Sequence, residues 1–404
     1  MNVLRKGLIY AMMAILLLSL AAAGCIGKAE TGDTSPNAQP TTRTITDMRG
    51  VEVTIPATPS RVVDISRGLV DEVMYIFGLD DTIVGGSFYQ GSVKPGEYVW
   101  DDVDYTVNTY ISMVLMPRLA DASEVTNVGG FGGPYGGVPK VETVLSLEPD
   151  LLILRDFGGD DENTSNFISL IEEVGIPVVV LKYPDCYAVP SPDSIYEEVR
   201  VLGAVFGYEE SAESIIVTMK SRVDTVIERT STVPVDERPS VLFFGAPTWA
   251  GDQGGVGVAF GTGTIEVAFL NSVLHGCSAY TGSGRTLVSS EQVLAMDPDV
   301  ILLPTWSGYH PPRQLYEAAY SEIADLRALR EGSVYALATT PVNSQRLEFS
   351  INLMIAAKAL YPSLFDDIDL GTWIRAYLSE LYGTDEAMIE GMVDALMLAY
   401  LEIA

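Results

Sequence analysis

One segment of the chain occurs twice. Val141-Glu142-Thr143-Val144-Leu145-Ser146-Leu147-Glu148-Pro149-Asp150-Leu151-Leu152-Ile153-Leu154 matches Ser290-Glu291-Gln292-Val293-Leu294-Ala295-Met296-Asp297-Pro298-Asp299-Val300-Ile301-Leu302-Leu303, with Glu, Val, Leu, Pro and Asp at the same offsets. Each copy reads as a short helix, stopped at Pro-Asp, followed by a strand apolar on both faces. A strand of that kind fits a parallel sheet covered by helices on both sides. Two copies therefore predict two α/β halves in one chain. The length of 404 residues agrees, being too great for one ordinary core.

The flanking segments extend the pattern. In the first half, strands are predicted at 61–65, 83–85 and 178–181, with helices at 69–77 and 167–174. In the second, strands are predicted at 241–244, 300–303 and 334–337. Helices are expected at 264–274, around 315–329, at 347–360, at 372–381 and from 386 to the C-terminus. Between the halves, 194–206 and about 209–229 read as helices. Ile215, Ile216, Met219, Val223, Val226 and Ile227 give the second an apolar stripe at helical spacing. A helix of about 20 residues spans roughly 30 Å, enough to act as a stiff bar between lobes. The expected fold is α/β. It has two lobes, each with a central, mainly parallel sheet flanked by helices, bridged by one long α-helix. The expected boundaries are 44–190 for the first lobe, 191–235 for the helical region and 236–404 for the second lobe.

In open parallel sheets a ligand sits beyond the carboxyl ends of the strands. The residues after each strand are therefore the binding candidates. In the first lobe these are Arg67, Arg155, Lys182 and Tyr183. Cations are scarce in a chain with 24 Lys and Arg against 54 Asp and Glu. Their placement at strand exits points to an anionic or oxygen-rich ligand. In the second lobe the exits carry Trp249, Trp306, Tyr309 and His310, and later Arg346. Aromatic walls suit a large flat or amphipathic ligand. Residues 86–140 form a long insertion with Tyr89, Tyr98, Trp100, Tyr105, Tyr110 and a glycine-rich run over 129–137. It is expected either as a flap beside the cleft mouth or as an idle loop.

The N-terminus reads as a targeting segment. Arg5 and Lys6 precede an apolar stretch from Gly7 to Ala23, too short for a comfortable membrane span. Residues 1–24 are read as a signal peptide. Ala22-Ala23-Gly24-Cys25 resembles a lipobox, with Ala22 where Leu, Val or Ile is usual, and this marks Cys25 for lipidation. Residues 25–43 are polar and read as a flexible tether. The expected location is the extracytoplasmic face of the cell membrane. Cys186 and Cys277 are expected as unpaired, mostly buried thiols. A net charge of -30 disfavours nucleic acid as a partner.

Catalytic patterns are missing. Two histidines, His275 and His310, are too few for a His-rich metal site, so no metal ligands are assigned. Gly282-Ser283-Gly284 is not a nucleophile elbow. Gly255-Val256-Gly257 lacks the third glycine of a dinucleotide fingerprint, since Phe260 holds that place. No enzymatic activity and no cofactor are expected.

Taken together, the two Glu-bearing repeats and the tail Tyr361-Pro362-Ser363-Leu364-Phe365 to Leu381-Tyr382-Gly383 resemble the ABC-importer binding proteins for ferric siderophores, haem and cobalamin. The resemblance spans nearly all of residues 44–404. It implies capture of an iron chelate between the lobes and delivery to an ABC permease and its ATPase. It also implies that Glu142 and Glu291, one per lobe, dock on permease arginines. Cobalamin or haem is the alternative ligand. A tethered α/β enzyme or a sensory lipoprotein is the alternative of a different class.

Overall fold

The computed structural model describes residues 41–87, 97–100, 103–106, 111–131, 138–156, 158, 162–247, 249–304, 311–338, 346–398 and 401. Residues 1–40, with Cys25, lie outside the described residues.

The first lobe begins with an antiparallel hairpin, β1 (Thr42–Thr46) and β2 (Glu52–Pro56). It continues through β3 (Val62–Ile65), α1 (Val70–Ile76), β4 (Ile83–Gly86) and a second hairpin, β5 (Glu97–Trp100) with β6 (Val103–Thr106). Then come α2 (Ile111–Leu115), β7 (Thr126–Asn127), α3 (Val141–Ser146), β8 (Leu151–Asp156), α4 (Glu162–Glu173) and β9 (Val178–Lys182). Five of the strands form one parallel sheet in the order β7-β4-β3-β8-β9. Every residue of β3 and the first five of β8 are buried, as strands apolar on both faces require. The β1–β2 turn covers part of the β9 edge. Met48 N donates to Val180 O at 3.0 Å, and Val180 N donates to an Asp47 carboxylate oxygen at 3.1 Å. Edge groups that would face solvent are thereby paired.

Two helices lead to the second lobe. α5 (Pro192–Phe206) ends at Gly207, whose φ of 77° makes the left-handed cap that glycine favours. α6 (Glu209–Thr230) has 22 residues and so runs about 33 Å. Its apolar stripe of Ile215, Ile216, Met219, Val223 and Val226 is buried.

The second lobe comprises β10 (Ser240–Gly245), α7 (Trp249–Asp252), β11 (Gly257–Phe260), α8 (Ile265–Phe269), β12 (Cys277–Ser278), β13 (Arg285–Val288), α9 (Ser290–Met296), β14 (Val300–Leu303), α10 (Arg327–Arg330) and β15 (Val334–Ala336). Its sheet runs β13-β11-β10-β14-β15, with β12 also on β10. The β10, β12, β14 and β15 pairings are parallel, whereas β11 and β13 join antiparallel. Gly257 is required where β11 meets β10, because a Cβ there would lie 2.1 Å from a Phe244 ring carbon. Finally α11 (Phe349–Leu360), α12 (Leu370–Tyr382) and α13 (Glu386–Ala395) close the fold. One apolar core is continuous through β3, α5, α6, β10 and α11 to α13.

The repeat has a structural cause. Asp150 accepts from Ser60 N and Oγ, both at 2.8 Å, and its own N–H donates to Arg61 O. Asp299 accepts from Ser240 N at 2.7 Å and Oγ at 2.8 Å, and its N–H donates to Ser240 O. Each aspartate thus staples its strand to the start of the first strand of its sheet, β8 to β3 and β14 to β10. The residues before the two prolines, Glu148 and Asp297, both have positive φ, at 47° and 34°.

Several expectations are corrected. Residues 315–329 are not one helix but 3-10 turns at Pro312–Tyr316 and Ala318–Ile323, followed by α10. The Gln314 amide and the Tyr320 hydroxyl both donate to Ala246 O, at 2.9 and 3.1 Å, which draws these turns onto the exit of β10. The helix after Thr264 changes to a π-helix at Leu270–Leu274 and stops at His275, with φ of 51°. Part of the 86–140 insertion is core rather than flap. Ile111, Leu115, Met116 and Leu119 are buried, and α13 lies against α2. Cys186 and Cys277 are unpaired, but Cys277 is exposed.

Candidate functional site

Residues of the two lobes come into contact at two places, beyond β3 and beyond β9. At the first, β3 ends in Ile65 and the chain turns through Arg67, Gly68 and Leu69, with φ of 61°, 105° and 75°. Three consecutive left-handed residues, two of them not glycine, are a costly backbone that its surroundings must hold. Arg346, beyond β15, supplies the hold. Its Nη2 donates to Arg67 O at 2.9 Å, and its Nη1 donates to Glu72 Oε1 at 2.5 Å and to Ser112 Oγ at 3.2 Å. Arg346 is 4% exposed and Arg67 is 9% exposed.

Around this guanidinium four carboxyl groups are buried: Asp64, Asp71, Glu72 and Glu348. Burial raises the pKa of Asp71, and burial followed by the charge of Asp71 pushes Asp64 up to about 8. Glu72 is raised well above the ordinary range by burial, then by Glu348. Burial likewise raises Glu348, which accepts from the Tyr382 hydroxyl. Burial works against the charge of Arg346, but Glu72, Asp71 and Glu348 outweigh it and raise its pKa. The cluster is therefore a charged Arg346 among buried carboxyls whose pKa values are all raised, Asp64 to about 8.

The second place lies at the exit of β9. Tyr183 is buried, and Arg155 stacks over its ring with Cζ 4.8 Å from the centroid. Arg155 is the penultimate residue of β8, and its side chain is fully buried. It makes a two-pronged pair with Glu198 of α5, at 2.5 and 2.6 Å. Burial pushes Glu198 up to about 7, against the opposing charge of Arg155. Next to Tyr183, Asp185 meets Arg285 of β13 at 3.3 Å, and Arg285 also lies 3.6 Å from Glu266. Burial, then Asp185 and Glu266, raise the Tyr183 pKa well above the phenol range.

The other candidates are placed as follows. Lys182 closes β9 and is half-buried. Trp249 opens α7, half-buried against the main core. Trp306, Tyr309 and His310 lie outside the described residues. Glu142 and Glu291 are exposed in the first turns of α3 and α9. Asp64, Asp71, Glu72, Glu348, Glu198, Asp185 and Arg285 were missed by the reading of the sequence. Asp64 carried a signal, a charge inside the otherwise apolar Val62–Ile65. Asp185 and Arg285 carried none, being 100 residues apart. Among the described residues, no group of three or more His, Cys, Asp and Glu side chains is arranged to hold a metal ion.

Residues 114–340 match the family described as periplasmic binding protein. The chain belongs to the periplasmic binding protein family. The uncharacterized ABC transporter substrate-binding lipoprotein YvrC of Bacillus subtilis is 23% identical over 356 residues, covering 88% of this chain and 97% of that one. Molybdate-binding protein MolA of Haemophilus influenzae is 23% identical over 265 residues, covering 61% and 70%. The solved structure of Helicobacter pylori CeuE in a Ni-His complex superposes with a TM-score of 0.61 at 14% identity, covering 87% and 98%. This periplasmic binding protein is a substrate-binding component of an ABC transporter, not an enzyme, and works outside the cytoplasm. The resemblance carried by the Glu142 and Glu291 segments holds.

Proposed function

We propose that the protein captures a metal chelate, a ferric siderophore in the leading reading, between its lobes and hands it to an ABC permease and its ATPase. The observation that carries the reading is the meeting of the two lobes beyond β3 and β9, at Arg346 with Glu72 and at Asp185 with Arg285 of β13. Loops that converge there form the natural wall of a ligand site. Arg67, Lys182 and Trp249 are proposed as wall residues, together with Trp306, Tyr309 and His310, which lie outside the described residues; Tyr183, buried beneath Arg155, is assigned to the floor. Arg155 and Arg346 are assigned to the floor, because buried carboxyls already engage them. Cys25 is proposed as the lipid attachment site that holds the protein at the membrane.

A second reading, capture of an oxyanion, is favoured by the match to MolA. Haem and cobalamin remain within the same chemistry. The test is fluorescence titration of the purified protein with ferric hydroxamates, ferric catecholates, Ni-His, haem, cobalamin and molybdate. Tight binding of a ferric chelate supports the leading reading, and binding of molybdate alone transfers support to the second. If nothing binds below about 1 μM, a free energy of about 8 kcal/mol, the transport ligand is none of these.

A further inference from the structure

We infer that Arg346 acts as a positioning residue: paired with Glu72, it shapes the Arg67–Leu69 turn from the opposite lobe and so presents Arg67 to the ligand. The inference rests on the reading of Arg67 as a ligand residue.

Arg346 and Glu72 are 274 positions apart and belong to segments that follow different sheets. Among the described residues, the acceptors of the Arg346 guanidinium lie in the first lobe: a carboxylate on α1, a hydroxyl on α2 and the carbonyl of Arg67 itself. The carbonyl contact bears directly on the strained turn. A turn of three left-handed residues does not hold itself, since Arg67 and Leu69 each prefer negative φ. Gly68 shows how closely the parts fit. A Cβ at this position would lie 2.1 Å from Arg346 Cζ, so the glycine backbone rests against the guanidinium face. The turn, the absence of a side chain at Gly68 and the fork of Arg346 form one unit. Lysine cannot replace it, because a single ammonium on a flexible stem lacks the planar fork that reaches a carboxylate and a carbonyl together.

A direct ligand contact is the competing role for Arg346. Its near-complete burial and its engagement on both terminal nitrogens oppose that role. A merely structural ion pair is the other competitor, and it predicts a stability change without any dependence on Arg67. At its C-terminal side Arg346 is anchored two residues on, where Glu348 accepts from Tyr382 of α12. The ordering of the first lobe's binding turn is thereby tied to the docking of the second lobe.

Two measurements test this on the full chain, with Arg346→Lys and Glu72→Gln as the variants. Amide hydrogen exchange without ligand is expected to speed up about tenfold or more over residues 66–72 and to stay unchanged over β8. Exchange that is unchanged in the turn, or raised equally in β8, overturns the inference whatever the ligand proves to be. The second measurement is a double-mutant cycle in the affinity for the tightest ferric chelate of the panel. Arg67→Ala is expected to weaken binding by about tenfold to 100-fold, the size of a charge-assisted hydrogen bond. Arg346→Lys alone is expected to weaken it about tenfold, yet to add little in the Arg67→Ala background. Additive losses would show that Arg346 touches the ligand itself and would overturn the positioning role. If no chelate binds at all, the proposed ligand class fails, whereas the exchange result still decides the role of Arg346.

Discussion

Replacing Asp64 with Asn is expected to flatten the dependence of stability on pH. Asp64 is 1% exposed, and Ser66, which favours its ionised form, does not offset its burial. Burial first, and then Asp71, take its pKa from the ordinary 3.8 to about 8. Between those values the folded chain holds a proton that the unfolded chain has released. Stability must then fall as pH rises, by about 1.4 kcal/mol per unit for one proton. Across about four units the loss is about 6 kcal/mol, comparable with the whole stability of many domains. Asparagine keeps the shape and carries no titrating proton. The variant should match the wild type near pH 4 and exceed it by several kcal/mol near pH 8. Asp71 shares the proton, so the slope belongs to the pair, and removing one member also relaxes the other. Urea unfolding followed by tryptophan fluorescence, from pH 4.5 to 8.5, gives both slopes. Subtracting them removes the general repulsion of a chain with net charge -30. Parallel slopes for variant and wild type would refute the assignment of a protonated, buried Asp64.

Two further outcomes follow from the structure. Glu198→Ala takes the two-pronged partner from the fully buried Arg155 and is expected to cost about 3–5 kcal/mol in urea unfolding, with Glu198→Gln costing less. Glu142→Arg and Glu291→Arg reverse exposed charges in the matching turns of α3 and α9, and each should abolish uptake in cells while leaving ligand titration unchanged. Loss of binding in either would assign these glutamates to the ligand site instead.

The parts of the fold that the sequence announces are those governed by local rules. β14 is apolar and buried throughout, β3 likewise except for its buried Asp64, and β8 over Leu151–Leu154, while Asp150 and Asp299 tie β8 to β3 and β14 to β10. What it does not announce depends on distant partners. The 312–323 stretch has helical composition, but Ala246 O holds two of its side chains and the turns tighten. The antiparallel β11 and β13 are short and bounded by glycines, so their pairing partner is not written in their own residues. In the same way α2 reads as part of a loop until α13, nearly 300 residues later, covers it.

The site follows the same division, with a consequence for how cations at strand exits are interpreted. Position near the carboxyl ends of strands picks out Arg67, Arg155 and Arg346 as candidates, but position is shared by two roles. An exit facing a ligand and an exit facing the other lobe stand at the same end of the sheet. Arg155 and Arg346 are each met by a buried carboxyl, Glu198 on α5 and Glu72 on α1. Glu72 follows Asp71 at the start of an apolar helix, where an acid is favoured by the helix dipole in any case. That local reason hides the distant one. A ligand that brings negative charge into the cleft would meet Arg67 close to Asp64, whose pKa burial and then Asp71 raise to about 8. Binding is then expected to weaken as pH rises through about 8, when Asp64 ionises and adds like charge. A titration of the chelate at pH 6.5 and 9 that shows no loss, or a gain, would mean that the ligand does not feel this cluster and that Arg67 faces elsewhere.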